Sequence, residues 1–265
     1  MRFLPLLPIL LLAISGCCLH AGAPERPQPV VAGYSQDVEV DSERGRIRIT
    51  ELTRGLENPW SLALLPDGNM LVSERPGRLL KLDAKGNLLA QIEGLPTIFV
   101  DGQAGLLDVV PAPDFASSKL VYLSFAKPNL RGNLAGTAVF RARLEGNALV
   151  DGKVIYEQEP KLSSGTHVGS RLVFDGRGHL FVTQGENNKR PTAQDLDKLQ
   201  GKLVRLNLDG SIPADNPFVG REGVRPEIWS YGHRNMQGGA LNPWSGQVWT
   251  SEHGPMGGDE INIPQ

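Results

Sequence analysis

The chain has little of what most often betrays a protein's chemistry. Two cysteines occur in 265 residues, Cys17 and Cys18, and both lie near the N-terminus. Residues 19–265 therefore carry no disulfide, no reactive thiol and no cysteine-based zinc site. There is no excess of positive charge: the net charge is -2 and the pI about 6.2. That balance excludes a basic field for nucleic acid or an anionic membrane surface. A Gly-rich phosphate loop, a Gly-x-Ser-x-Gly elbow and Cys/His zinc spacing are all missing. Helical periodicity is nearly absent, and residues 193–200 (AQDLDKLQ) give the one predicted helical piece, short and polar, in an inserted loop. Turn formers are abundant instead, with 31 Gly and 20 Pro against 21% charged residues. This mix indicates a turn-rich β protein.

The first residues read as an export signal. Arg2 supplies a short positive region, residues 4–14 are apolar, and Ser15-Gly16 precede Cys17. Pro5, Pro8 and the shortness of the run argue against a membrane-spanning helix. Residues 14–17 (ISGC) also fit a bacterial lipobox, in which Cys17 becomes the acylated first residue and anchors a periplasmic domain without spanning the membrane. The alternative is ordinary cleavage near Ala21 or Ala23, giving a soluble periplasmic protein. Residues 18–45, rich in Pro, Gly and charge, read as a tether with an edge strand at its end.

From Arg46 the pattern changes. Ile47 and Ile49 alternate with polar residues, which predicts a strand with one buried face. Runs at 60–65, 69–74 and 78–82 follow, separated by Pro66-Asp67-Gly68 and Arg75-Pro76-Gly77, and Asp-Gly between such runs is a hairpin cue. The same phrase of apolar strand, turn and apolar strand recurs from Arg171, from Lys202 and from Gly239. A further unit runs through 106–109, 120–125 and 139–144. Trp60, Leu106, Arg171 and Ala240 mark equivalent points at about one propeller blade each plus variable loops. The prediction is an all-β fold, a β-propeller with about four blades over residues 46–265. A β-sandwich also offers short strands and turns, but the recurring phrase favours the propeller. Residues 261–265 read as the middle of a strand or its exit, so the propeller is expected to continue beyond them. Residues 212–226 form a long, proline-containing loop of the kind that is often functional.

The polar residues collect at the ends of the strand runs. His167, Glu186, Arg234 and Asn235 all stand there, and loops on one face of a propeller converge on its central channel. A neutral histidine suits a general base, a carboxylate can orient it, and Arg beside Asn can stabilise an oxygen that gains negative charge. The set fits proton abstraction coupled to charge build-up on a carbonyl-type acceptor. It is compatible with several reactions, and also with structural hydrogen bonding in Gly-rich hairpin loops.

Four segments narrow this reading: 102–107 (GQAGLL), 167–172 (HVGSRL), 231–238 (YGHRNMQG) and 252–262 (EHGPMGGDEIN). Together with 203–218 they resemble the signature segments of the soluble PQQ-dependent glucose/sorbosone dehydrogenase family, nearest its periplasmic aldose sugar dehydrogenase branch. The resemblance implies a six-bladed propeller holding pyrroloquinoline quinone (PQQ) and Ca²⁺. It implies oxidation of an aldose at the anomeric carbon to a lactone, with electrons passed to an external acceptor. By the same resemblance His167 is the base and Glu186 its supporting carboxylate. Arg234 and Asn235 meet the quinone oxygens, and Gln103 positions cofactor or substrate. Gly254 and Pro255 offer carbonyls to the cofactor's Ca²⁺, and Glu260 with Asp259 matches a second, structural Ca²⁺ position. The pattern departs from the family at Glu186, where Asp is usual, at Thr166, where the glucose enzymes carry Asp, and at Met236 and His253, where Pro and Gln are commoner. A non-catalytic binding propeller of the same fold is the alternative function. A calcium-dependent lactonase propeller is a third, disfavoured because acidic ligands are not spread over several blades.

Overall fold

The computed structural model describes residues 28–33 and 37–265. The expected signal segment, Cys17 and the first part of the tether lie outside the described residues.

Local chemistry sets the turns. Asp67 Oδ1 accepts the N–H of Asn69 at 3.0 Å, and Gly68 takes φ +83, a left-handed conformation open to glycine at little cost. The aspartate bonding two residues ahead mimics a backbone turn. Asp83, Asp175 and Asp209 repeat it, each accepting from the residue two positions on at 2.8–2.9 Å. The recurring Asp-Gly phrase is thus a recurring Asx-turn joining antiparallel neighbours.

These turns build three four-stranded meanders and one three-stranded sheet. Blade I comprises Pro59–Leu64, Met70–Glu74, Arg78–Leu82 and Leu88–Gln91. Blade II comprises Leu106–Pro111, Leu120–Pro128, Ala135–Glu145 and Ala148–Glu157. Blade III comprises Leu172–Phe174, His179–Thr183, Lys202–Asn207 and Ile228–Tyr231, and blade IV Met236–Leu241, Val248–Glu252 and Glu260–Asn262. The apolar residues pack between successive sheets. Leu71 and Leu79 of blade I meet Leu106, Leu123 and Phe125 of blade II. Tyr122 and Val139 of blade II meet Leu180, Val204 and Ile228 of blade III. Phe181 and Leu203 of blade III meet Met236 and Val248 of blade IV. Each large side chain buried this way stabilises the fold by about 1.5–3 kcal/mol. Face-to-face packing of successive meanders is a β-propeller arrangement.

The first strands of blades I, II and III meet at one side chain. Asp108, fully buried, accepts Ser61 Oγ at 2.6 Å from blade I, and Arg171 Nη1 at 2.8 Å and the Leu172 N–H at 2.8 Å from blade III. One carboxylate therefore ties three blades together.

Two expectations are corrected. The strand Gly45–Ile49 exists, but it pairs with Val38–Ser42 as a separate two-stranded ribbon. Ile47 and Ile49 are 51% and 55% exposed, so that strand has no buried face, and the propeller strands begin at Pro59. Residues 193–200 do not form a helix; a 3₁₀ turn occupies Arg190–Ala193 instead. The carbonyls of Thr192 and Ala193, which a helix would engage internally, accept the ammonium of Lys202 at 2.9 and 3.0 Å. A four-residue helix, Phe115–Ser118, has no clear periodic signal.

Candidate active site

Gln103, His167 and Arg234-Asn235 precede the first strands of blades II, III and IV, and Glu186 follows the second strand of blade III. In antiparallel meanders these positions share one edge, so all five come to the same face. An isolated bridge between Gly185 and Asn235 joins the two loops, and the Glu186 N–H donates to the Arg234 carbonyl at 2.9 Å.

His167 sits at φ +46, where a non-glycine residue is strained by about 1–3 kcal/mol. Three bonds hold it there. Its N–H donates to Gln103 Oε1 at 2.8 Å, and its carbonyl accepts the Asn187 N–H at 3.2 Å. Asn187 Nδ2 also donates to the Thr166 carbonyl at 3.3 Å. The loop approaches so closely that a Cβ at Gly185 would overlap the His167 carbonyl.

The imidazole lies between two charged partners. Nδ1 is 3.0 and 3.1 Å from the two carboxylate oxygens of Glu186. The histidine side chain is 12% exposed and the glutamate 1%. On the other side, Nη2 of Arg234 is 3.3 Å from Nε2. Arg234 Nη1 donates to the His253 carbonyl at 3.0 Å, while its buried Nε has no partner among the described residues. Asn235 is buried, and its Oδ1 accepts the Gly169 N–H at 3.3 Å. His167, Glu186, Gln103, Arg234 and Asn235 therefore form one contiguous group.

The other expected residues stand to one side. Gly254, Pro255 and Asp259 are on the loop after Val248–Glu252, where Asp259 Oδ1 accepts the Gly254 N–H at 2.8 Å. Glu260 is exposed. Asp259 and Glu260 line a cleft of about 350 Å³ with Glu252, His253 and Ser251. Among the described residues no three His, Cys, Asp or Glu side chains form a metal-binding group. What this loop offers a cation is oxygen donors, which suits a hard ion such as Ca²⁺.

Sequence reasoning misses two residues here. Asn187 is one; its role rests on backbone bonds to a strained neighbour, which composition does not reveal. Glu252 is the other. It is buried, and it accepts the Arg234 N–H at 2.7 Å, His233 Nδ1 at 3.0 Å and Asn262 Nδ2 at 2.8 Å. Burial pushes its carboxyl up, but the bond and charge of His233 and the N–H groups of Arg234 and Asn235 outweigh this and hold it below the usual range. The repeated strand endings Val72-Ser73-Glu74 and Thr250-Ser251-Glu252 are the signal that finds it.

Known proteins share this architecture. Residues 56–265 match the family described as "Glucose / Sorbosone dehydrogenase". The chain is 54% identical over 222 residues to "Aldose sugar dehydrogenase YliI" of Escherichia coli strain K12, covering 83% of this chain and 60% of that protein. The apo crystal structure of soluble aldose sugar dehydrogenase from Escherichia coli superposes with a TM-score of 0.77 at 56% identity, covering 79% of this chain and 61% of that one. The PQQ-bound form of aldose sugar dehydrogenase from Streptomyces coelicolor gives 0.70 at 31% identity, covering 80% and 61%. This chain thus spans about three-fifths of the length of these relatives. With the family match running through all four blades, the chain belongs to the glucose/sorbosone dehydrogenase family.

Proposed function

We propose that the protein is a quinoprotein oxidoreductase that converts an aldose to its lactone at the anomeric carbon. The observation that carries this reading is the imidazole of His167 held at Nδ1 by Glu186, with Nε2 directed to the Arg234 side. Such a ring accepts the proton of the anomeric hydroxyl at Nε2, and Glu186 stabilises the imidazolium that results. PQQ, when bound, supplies the two-electron acceptor that takes the hydride from the same carbon. Arg234 and Asn235 present N–H donors to the acceptor's oxygens, and the unpartnered buried Nε of Arg234 fits such a ligand. Gln103 holds the His167 backbone through its oxygen and keeps its amide N–H groups for cofactor or sugar. The carbonyls of Gly254 and Pro255 would hold the Ca²⁺ beside the cofactor, with Asp259 and Glu260 at a second, structural Ca²⁺. The chain would act after export to the periplasm, lipid-anchored through Cys17, and deliver electrons to an external acceptor.

The test is reduction of an artificial dye by the protein expressed from its gene, with and without PQQ and Ca²⁺. Aldose-dependent reduction should need both additions, and a chelator should abolish it until Ca²⁺ is restored. His167→Gln should lower the rate by about 10³-fold or more. Dye reduction indifferent to PQQ, or an unimpaired His167→Gln variant, would refute the reading.

A further inference from the structure

Glu252 repeats a device found in blade I. There Glu74 ends the second strand, pairs across from Pro59, and accepts the N–H of Glu57 at 2.6 Å. In blade IV Glu252 ends the second strand, pairs across from Met236, and accepts the N–H of Arg234 at 2.7 Å. In both blades the donor stands two residues before the first strand, and the pairing register shifts just beyond it. A buried carboxylate thus latches the entry to a blade. In blade IV the latched residue is Arg234, the guanidinium that faces His167.

The two latches differ in their other donors: Glu74 also accepts Arg78 Nε at 2.8 Å, whereas Glu252 accepts from a histidine and an asparagine. His233 donates Nδ1–H to Glu252 Oε1, so its Nε2 is left to accept the hydroxyl of Ser230 at 2.9 Å. Asn262, from the next strand, donates to the same Oε1. Both oxygens of one charged, buried group are engaged, and hydrogen bonds to an ionised acceptor are about twice as strong as neutral ones. No ion pair joins Glu252 to the Arg234 guanidinium among the described residues, so the hold is on the backbone. The guanidinium is left to His253 and His167.

We infer that Glu252 is a positioning residue of the active site, fixing the backbone of Arg234 and Asn235 and, through it, the guanidinium against His167. Its consequence for cofactor binding rests on the proposed function; the positioning itself does not.

The test uses the whole protein and Glu252→Gln, which keeps the shape but exchanges one acceptor oxygen for a donor. In the cofactor-free protein, hydrogen exchange at the Arg234 and Asn235 amides should quicken by about tenfold or more, while Val121 in blade II is unchanged. The remaining amide oxygen should keep the Oε1 place, where His233 and Asn262 both donate, so by ¹⁵N NMR His233 should retain its Nδ1–H tautomer while the NH₂ group replaces the acceptor of the Arg234 N–H. With PQQ and Ca²⁺ supplied, half-saturation by PQQ should need about tenfold more cofactor, with the sugar KM within about twofold. Unchanged exchange at Arg234 and Asn235 overturns the inference. If that variant does not fold, Glu252→Asp, which keeps the charge but withdraws the oxygens by one methylene, decides by the same reading: exchange at the Arg234 and Asn235 amides should quicken, and unchanged exchange overturns the inference. A wild type that ignores PQQ counts against the proposed function alone, because the exchange and tautomer readings need no cofactor.

Discussion

Arg234 Nη2 lies 3.3 Å from Nε2 of His167, and this contact decides which ring nitrogen is basic. A guanidinium keeps its protons at any accessible pH and can only donate, so Nε2 must accept. A carboxylate can only accept, so against Glu186 the Nδ1 atom carries the hydrogen. Two neighbours with fixed roles thereby select one tautomer, with the Nε2 lone pair on the Arg234 side. Glu186→Gln removes that selection, because its amide group can donate to Nδ1 and turn the ring to the Nε2–H form. The variant should lose about 10²- to 10⁴-fold in kcat with little change in sugar KM. Steady-state dye reduction checks this, and a kcat within threefold of wild type would dismiss the tautomer argument.

Close approach is the second requirement. Gly185 lies under the His167 carbonyl, with no room for a Cβ, and bridges to Asn235. Gly185→Ala must push the strained histidine turn outward. Overpacking of this kind costs about 1–3 kcal/mol, and sub-ångström displacement of a base lowers its efficiency steeply. Urea unfolding should show the loss of stability, and kcat/KM should fall by about tenfold or more. A variant with wild-type rate and midpoint would mean that the turn has slack.

How much of this is legible in the sequence depends on how each residue acts. Strands Pro59–Leu64, Met70–Glu74 and Arg78–Leu82 and the hairpin around Asp67 follow from alternation and turn chemistry, which are local. The grouping of His167, Glu186, Arg234 and Asn235 follows from their positions at strand ends, because a meander sends alternate ends to one face. Asn187 and Glu252 act by accepting or donating to backbone groups far away in sequence, so only the folded chain shows their partners. Ile47 and Ile49 have the alternation of a half-buried strand, but alternation does not say what covers the apolar side, and here it is exposed. Residues 193–200 have helix-forming side chains, yet a buried ammonium takes the carbonyls that a helix would use.

That ammonium gives a third prediction. Lys202 is fully buried, and its Nζ donates to the carbonyls of Thr192, Ala193 and Gln200, the last at 2.7 Å. Burial pulls its pKa down to about 8, with the charges of Asp195 and Asp197 pulling the other way. It is therefore still mostly charged at neutral pH, and it pins the insert that follows Glu186. Lys202→Met would leave the Gln200 carbonyl without a donor among the described residues, while the carbonyls of Thr192 and Ala193 would keep the N–H groups of Asp195 and Gly232. Unsatisfied buried acceptors cost about 1–3 kcal/mol, so the melting temperature should drop by several degrees, about 2–4 °C per kcal/mol at this size. Proteolysis should also begin within residues 190–200. An unchanged melting curve would show that the cage contributes nothing.

The pH dependence of stability follows from Glu252. Its folded pKa lies below the ordinary value of 4.5: burial raises it, but the bond and charge of His233 and the N–H groups of Arg234 and Asn235 lower it further. As pH falls, the unfolded chain binds the proton first. In the window between the folded and unfolded values the unfolded state therefore holds more protons, and stability rises with pH there. The contribution is complete above the unfolded value and is lost as pH falls through the folded one. Glu252→Gln has no proton to bind, so its stability should fall less steeply below pH 4.5 than that of the wild type. Urea unfolding across that acid range measures both slopes. Parallel slopes would mean that the donors around the carboxylate do not lower its folded pKa.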